Sequence, residues 1–160
     1  MMQGDDKKGD DDKIVMTADL GVPIAQVWHA LTDYKAFGQW FGVDLDQPFE
    51  AGVKSTGCMT LPDHAGVPWV VYVDRIEPEH VFAFHWYDSE DGEAGDSHEH
   101  PQIWVVFEFK DIPEGTRLTI TESGFAAFPE PYRGEIMKRN AEGWAIQVQN
   151  LTRYLSAGPV

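Results

Sequence analysis

From Lys13 to Leu20 the run KIVMTADL is short and strand-like, and Gly21-Val22-Pro23 breaks it. Proline is well tolerated in a helix's first turn, and Ile24, Val27, Trp28 and Leu31 then recur at helical spacing. A second short helix or turn is expected over Tyr34 to Phe41, with Phe37, Trp40 and Phe41 on one side. Strands follow. Val53 to Leu61 is a weak one, rich in glycine and threonine, whereas Val67 to Ile76 is strong. The turn Glu77-Pro78-Glu79-His80 leads back into Val81 to Tyr87, its hairpin partner. Ile103 to Lys110 and Thr116 to Ser123 make another hairpin across Asp111 to Gly115. From about Tyr132, Met137, Ala141, Trp144, Val148, Leu151 and Leu155 step by three or four along one helical face, which Gly158-Pro159 stops.

This order predicts an α+β fold: a curved antiparallel sheet of about six strands, a long C-terminal helix and two short N-terminal helices. One face of such a sheet needs cover, and only one helix is long enough to cross it. A twisted sheet curling around a single helix tends to leave a gap at its wide end. The side chains available for that space are bulky, among them Trp40, Phe82, Phe84, Trp86, Phe107 and Trp144. Rigid rings pack imperfectly, so an apolar cavity with these six residues as ligand contacts is expected, against the simpler reading that they fill the core. Residues 1–12 carry no apolar periodicity and read as a disordered acidic tail; residues 13–157 read as a single domain.

Charge narrows the partners. Among 160 residues, 27 are acidic and 12 basic, a formal net charge of −15. A field of that sign repels phosphate backbones and anionic headgroups, so neither nucleic acid nor membrane insertion is expected. It would suit solubility, or a protein partner with a basic surface. Cys58 is the single cysteine, which excludes an intramolecular disulfide and zinc sites built on two or more cysteines. Met1 to Lys13 holds no apolar signal region, and no run approaches the ~20 apolar residues of a membrane span. A cytoplasmic protein is expected, as monomer or homodimer.

No nucleophile-elbow, dinucleotide-binding, phosphate-loop or zinc-protease motif occurs, and neither a cofactor nor a metal is expected. Cys58 reads as a small buried hydrophobe. Asp88 to His100 holds six acidic residues with His98 and His100, but its spacing fits no calcium loop, and a solvated loop is the simpler reading. Glu122 shares strand phase with Leu118 and Ile120, so it faces whatever they face. A carboxyl group among aromatic rings could orient a polar ligand group or act as acid or base; a structural hydrogen bond at the sheet edge is the plainer alternative. His85 alternates with Phe84 and Trp86 and belongs on the outer face.

Three segments, VPIAQVWHALTDYKAFGQWFG (Val22 to Gly42), GTRLTITESGF (Gly115 to Phe125) and EGWAIQVQNLTRYL (Glu142 to Leu155), are similar to the START-like, SRPBCC superfamily. They most resemble its branch named for the activator of the heat-shock-protein ATPase, which has a proline-led helix, a "WF" turn, an "sGF" strand exit and a "GWxxxLxxLxxYL" helix. The resemblance runs in order from Ile14 to Leu155. It implies a helix-grip fold, like that of the birch-pollen allergen, around an internal hydrophobic cavity. Activities across the superfamily are diverse, and no shared catalytic set carries over to this chain. Val148 stands where leucine is usual, and the Asp88 to His100 loop is long and acidic. Three readings follow: binding of a small apolar ligand of lipid, polyketide or aromatic type, which is preferred; a co-chaperone-like interaction module; or a cyclase- or hydrolase-type enzyme using Glu122.

Overall fold

Alternating strands joined by tight turns build one curved antiparallel sheet in the computed structural model, which describes residues 13–88, 94–95 and 101–157. Its strands are β1 (Lys13–Leu20), β2 (Val43–Leu45), β3 (Lys54–Met59), β4 (Pro68–Glu77), β5 (Val81–Asp88), β6 (Ala94–Gly95), β7 (Gln102–Ile112) and β8 (Gly115–Ser123). The order across the sheet is β1-β8-β7-β5-β4-β3-β2, with the two-residue β6 pairing the end of β5. Seven strands on the main path rather than about six reflect β2, whose three residues are too short to show a period in sequence. The helices are α1 (Ile24–Thr32), α2 (Tyr34–Phe41) and α3 (Tyr132–Ser156). None of the described helices is long and apolar enough to cross a membrane.

Local chemistry explains the boundaries. Pro23 precedes α1 in an extended conformation, and the Asp33 carboxylate accepts from Ala36 N at 3.0 Å to cap α2. Gly42, at φ 90°, ends α2 in the left-handed region. At the β7–β8 turn, Gly115 has φ 145° and lies so close to the Leu20 carbonyl that no Cβ fits, while Thr116 Oγ1 donates to Val22 O at 2.8 Å. That turn therefore locks the chain between β1 and α1 against the sheet.

Strand alternation sorts the two faces. Thr116, Leu118, Ile120 and Glu122 of β8 are buried, as are Ile103, Val105, Phe107 and Phe109 of β7 and Phe82 and Phe84 of β5. On the outer face His85 is held by the Asp74 carboxylate at 2.9 Å and stacks on Tyr72. Arg117 there bonds Asp19 at 2.8 Å, and the guanidinium's hydrogen bonds hold the Asp19 carboxyl below its usual range. Cys58 also lies on this face, opposite Asp44 and Pro68, and is exposed. The expected buried thiol is thus corrected: Ser55 and Gly57 take the inward positions of β3, and Cys58 falls between them and Met59 in the outward phase.

The stripe of α3 also differs from its apolar reading. Ile136, Trp144, Leu151 and Leu155 are buried, and the half-buried Asn140 and Gln147 share their face. Ile136 rather than Met137 points fully inward, because steps of four through the polar Asn140 connect it to Trp144. Gln147 Nε2 donates to Phe41 O at 2.9 Å and pins α3 to the end of α2. Gly143 lies exposed in mid-helix, where a Cβ would meet nothing within 4 Å. Gly143→Ala should therefore stabilise the fold by about 0.5–1 kcal/mol through the helix backbone alone, read as a rise of a few degrees in thermal melting.

Residues 1–12, 89–93, 96–100 and 158–160 lie outside the described residues. The expected acidic tail, His98 and His100, and the Gly158-Pro159 stop fall there.

Candidate functional site

The inner face of the sheet carries a continuous aromatic surface. Phe82 and Phe84, two apart on β5, meet edge to face at 5.6 Å, and both touch Phe107 of β7, at 5.8 and 5.7 Å. Pairing of Phe82 with Phe107 and of Phe84 with Val105 fixes this arrangement. Trp69 of β4 extends it from Phe84 at 5.8 Å, and Phe41 at the end of α2 continues it at 5.4 Å. Trp144, descending from α3, closes the surface: its ring meets Phe107 at 5.7 Å and an 80° angle, and Phe41 at 6.3 Å. Each pair contributes about 0.5–1.5 kcal/mol beyond its buried area.

A carboxyl group stands at the edge of these rings. Glu122 is 1% exposed, and Trp144 Nε1 donates to its Oε1 at 3.0 Å. Asn140 Nδ2 donates to Oε2 at 3.3 Å. Asn140 and Trp144 are one helical turn apart on α3, so a single face of that helix presents two donors to one carboxyl. Glu122 faces Ile14 and Val105 across its neighbours, so the expected structural hydrogen bond is made on an interior strand rather than at the sheet edge. β8 is flanked on both sides because the N-terminal strand β1 adds outside it.

The seven residues singled out in sequence are not all together. Phe82, Phe84, Phe107, Trp144 and Glu122 form one contiguous group. Trp86 extends it along β5, where it packs between the main core and a smaller cluster of Ile103, Phe125, Phe128 and Ile136. Trp40 joins the group only at its margin, through Phe41 at 5.7 Å; its Nε1 donates to Ala30 O at 2.7 Å and its ring meets Phe37, so it fastens α1 to α2. Asn140 and Ser55 were missed. Both are polar residues in apolar phase, and only the step of four from Asn140 to Trp144 marks either of them. Among the described residues no three His, Cys, Asp or Glu side chains converge as a metal site would require.

The α3 backbone approaches β1, α1 and α2 closely, whereas it reaches the central strands through long side chains such as Trp144. A curved antiparallel sheet packed around one long C-terminal helix is a helix-grip-like arrangement. The family model for "Activator of Hsp90 ATPase homolog 1-like protein" matches residues 21–156. The chain belongs to this family. No curated protein matches it in sequence. Solved structures of members of this fold superpose over nearly the whole chain. Protein MLL2253 from Mesorhizobium loti is 19% identical, with a TM-score of 0.72, covering 92% of this chain and 99% of that one. Protein NE0264 from Nitrosomonas europaea is 17% identical, with a TM-score of 0.73 and coverages of 94% and 97%. DynU16, a protein of the dynemicin biosynthetic locus, is 28% identical with a TM-score of 0.72; the match covers 92% of this chain and 48% of DynU16. The family fold is one that commonly binds hydrophobic ligands.

Proposed function

We propose that this protein binds a small apolar molecule, of lipid, polyketide or aromatic type, between the concave face of the sheet and α3. The observation that carries the reading is the aromatic surface from Trp69 through Phe84 and Phe107 to Trp144, bordered by one buried carboxyl. An apolar surface with a few convergent polar groups is the usual composition of a small-molecule site. Large rings on two sides, with α3 standing off the central strands, let a flat or elongated molecule take the place of ring-to-ring contact. The similarity to DynU16, whose locus is biosynthetic, supports a small-molecule ligand. The charge of −15 favours solubility, in keeping with a cytoplasmic location.

Native mass spectrometry before and after organic extraction tests the reading. The expected result is a co-purifying mass that extraction removes. Re-addition at about 100 times its Kd should then raise the unfolding free energy by about 2.7 kcal/mol. A protein that carries no such mass, and whose melting temperature no lipid, polyketide or aromatic compound raises, would sink the idea.

A further inference from the structure

Two buried polar groups on the inner face have no hydrogen-bond partner among the described residues: Trp86 Nε1 and Ser55 Oγ. Buried indole N–H groups elsewhere in the molecule are satisfied, Trp40 by Ala30 O at 2.7 Å and Trp144 by Glu122 at 3.0 Å. An indole N–H only donates, so burying it without an acceptor carries a penalty that a phenyl ring would avoid. Phe82 and Phe84 precede Trp86 on the same strand, and they show that apolar filling of this face is met by phenylalanine. Ser55 repeats the pattern on β3, being only 2% exposed with its hydroxyl unpaired.

The two groups are neighbours across the sheet. Ser55 lies opposite Val71, and Trp86 opposite Ile103. Tyr72 lies opposite His85 at the end of the β4–β5 ladder, so Val71 and Trp86 each stand one residue beyond it, where β5 goes on to pair with β6. The pairs Ser55–Val71 and Trp86–Ile103 are thus adjoining on the concave face, with β4 between the strands that carry the two orphaned groups. With neighbouring strands about 4.8 Å apart, the backbones of Ser55 and Trp86 are about 10 Å from one another.

We infer that Trp86 Nε1 and Ser55 Oγ are the polar anchors of the ligand site, and that the ligand is a neutral apolar molecule with hydrogen-bonding oxygens near its two ends. The inference rests on the apolar-ligand reading above and narrows it. Trp86 calls for an acceptor, such as a ketone, ester or ether oxygen; Ser55 serves either role. An anionic ligand such as a fatty acid is disfavoured by the net charge of −15.

Four naphthalenes of one ring size test this: 2-ethylnaphthalene, 2-acetonaphthone, 6-methoxy-2-acetonaphthone and 2-naphthoate. Each is titrated into the ¹⁵N-labelled full-length protein and into the Trp86→Phe and Ser55→Ala variants. One hydrogen bond corresponds to about a tenfold change in affinity. The affinity of 2-acetonaphthone relative to 2-ethylnaphthalene should therefore fall about tenfold in Trp86→Phe, and the Trp86 indole N–H signal should move downfield with the ketone in wild type. The methoxy group should tighten binding several-fold in wild type and not in Ser55→Ala; this comparison stands even if Trp86→Phe fails to fold. Unchanged ratios in both variants, with the hydrocarbon still bound, overturn the anchors while leaving the apolar site intact. A resident water that holds the Trp86 N–H equally in free and bound protein overturns them in the same way. Naphthoate binding as tightly as the ketone overturns the neutral-ligand assignment. If none of the four binds, the anchors and the apolar-ligand reading fall together.

Discussion

Phe107→Ala lowers the unfolding free energy by about 3–5 kcal/mol, the largest single loss expected from an inner-face truncation. Phe107 is fully buried in the middle of β7, which is flanked by β5 and β8. It touches three rings from two directions: Phe82 at 5.8 Å and Phe84 at 5.7 Å beside it in the sheet, and Trp144 at 5.7 Å above it. Removing the ring therefore deletes transfer free energy and three aromatic contacts at once. The void cannot collapse easily, because Phe82 and Phe84 are fixed by strand pairing and Trp144 is tied to Glu122. Phe107→Leu keeps most of the volume and should cost well under half as much. Tyr72→Ala on the outer face, where its ring stacks on His85, is the control for aromatic truncation away from the core, and about 1 kcal/mol is expected there. Urea unfolding of the three variants reads the order directly. A Phe107→Ala loss no larger than that of Tyr72→Ala would mean that the inner rings do not form a packed wall.

Much of this architecture is legible in the chain because the strongest signals are local. Period-two runs such as TRLTITES commit Leu118, Ile120 and Glu122 to one face whatever they pair with, and the structure buries all three. The proline-led helix and the Asp33 to Gly42 segment work the same way, through capping and phase. What escapes the sequence depends on contacts between distant residues. The three residues of β2 become a strand only because Gly57, Cys58 and Met59 lie beside them. Glu122 reads as a sheet-edge group until β1, more than a hundred residues earlier, pairs outside β8. Asn140 goes unmarked in sequence because hydropathy is blind to a carboxyl waiting across the core. Trp40 gathers with the other aromatics by composition, and only its bond to Ala30 O shows that it fastens two helices. Cys58 shows the opposite hazard: a residue type that prefers burial takes the outward phase because serine and glycine occupy the inward one.

The bond between Trp144 and Glu122 invites a separation of stability from function. Trp144→Phe preserves the ring that covers Phe107 but removes the donor 3.0 Å from Glu122 Oε1. A fully buried carboxyl that loses a partner carries its own desolvation, so a loss of about 1–3 kcal/mol is expected. Glu122→Leu should also destabilise, since it strands the indole N–H and the Asn140 amide. Made together, the two changes remove both partners of the Trp144–Glu122 bond, which costs less than leaving one of them buried and unpaired, and only the half-buried Asn140 amide is left to find another partner. The double variant should therefore be at least ~1 kcal/mol more stable than the sum of the single losses predicts, as read from a double-mutant cycle in urea. Additivity within about 0.5 kcal/mol would show that the bond contributes little. If the double variant recovers stability, what remains to explain is why the chain carries a carboxyl group there at all. If the ligand proposed above orients against Glu122, that supplies the reason, and the apolar double variant should then purify without any small molecule that co-purifies with the wild type. Retention of that molecule by the double variant would leave Glu122 a structural group and return the recognition to the aromatic wall and to Trp86 and Ser55.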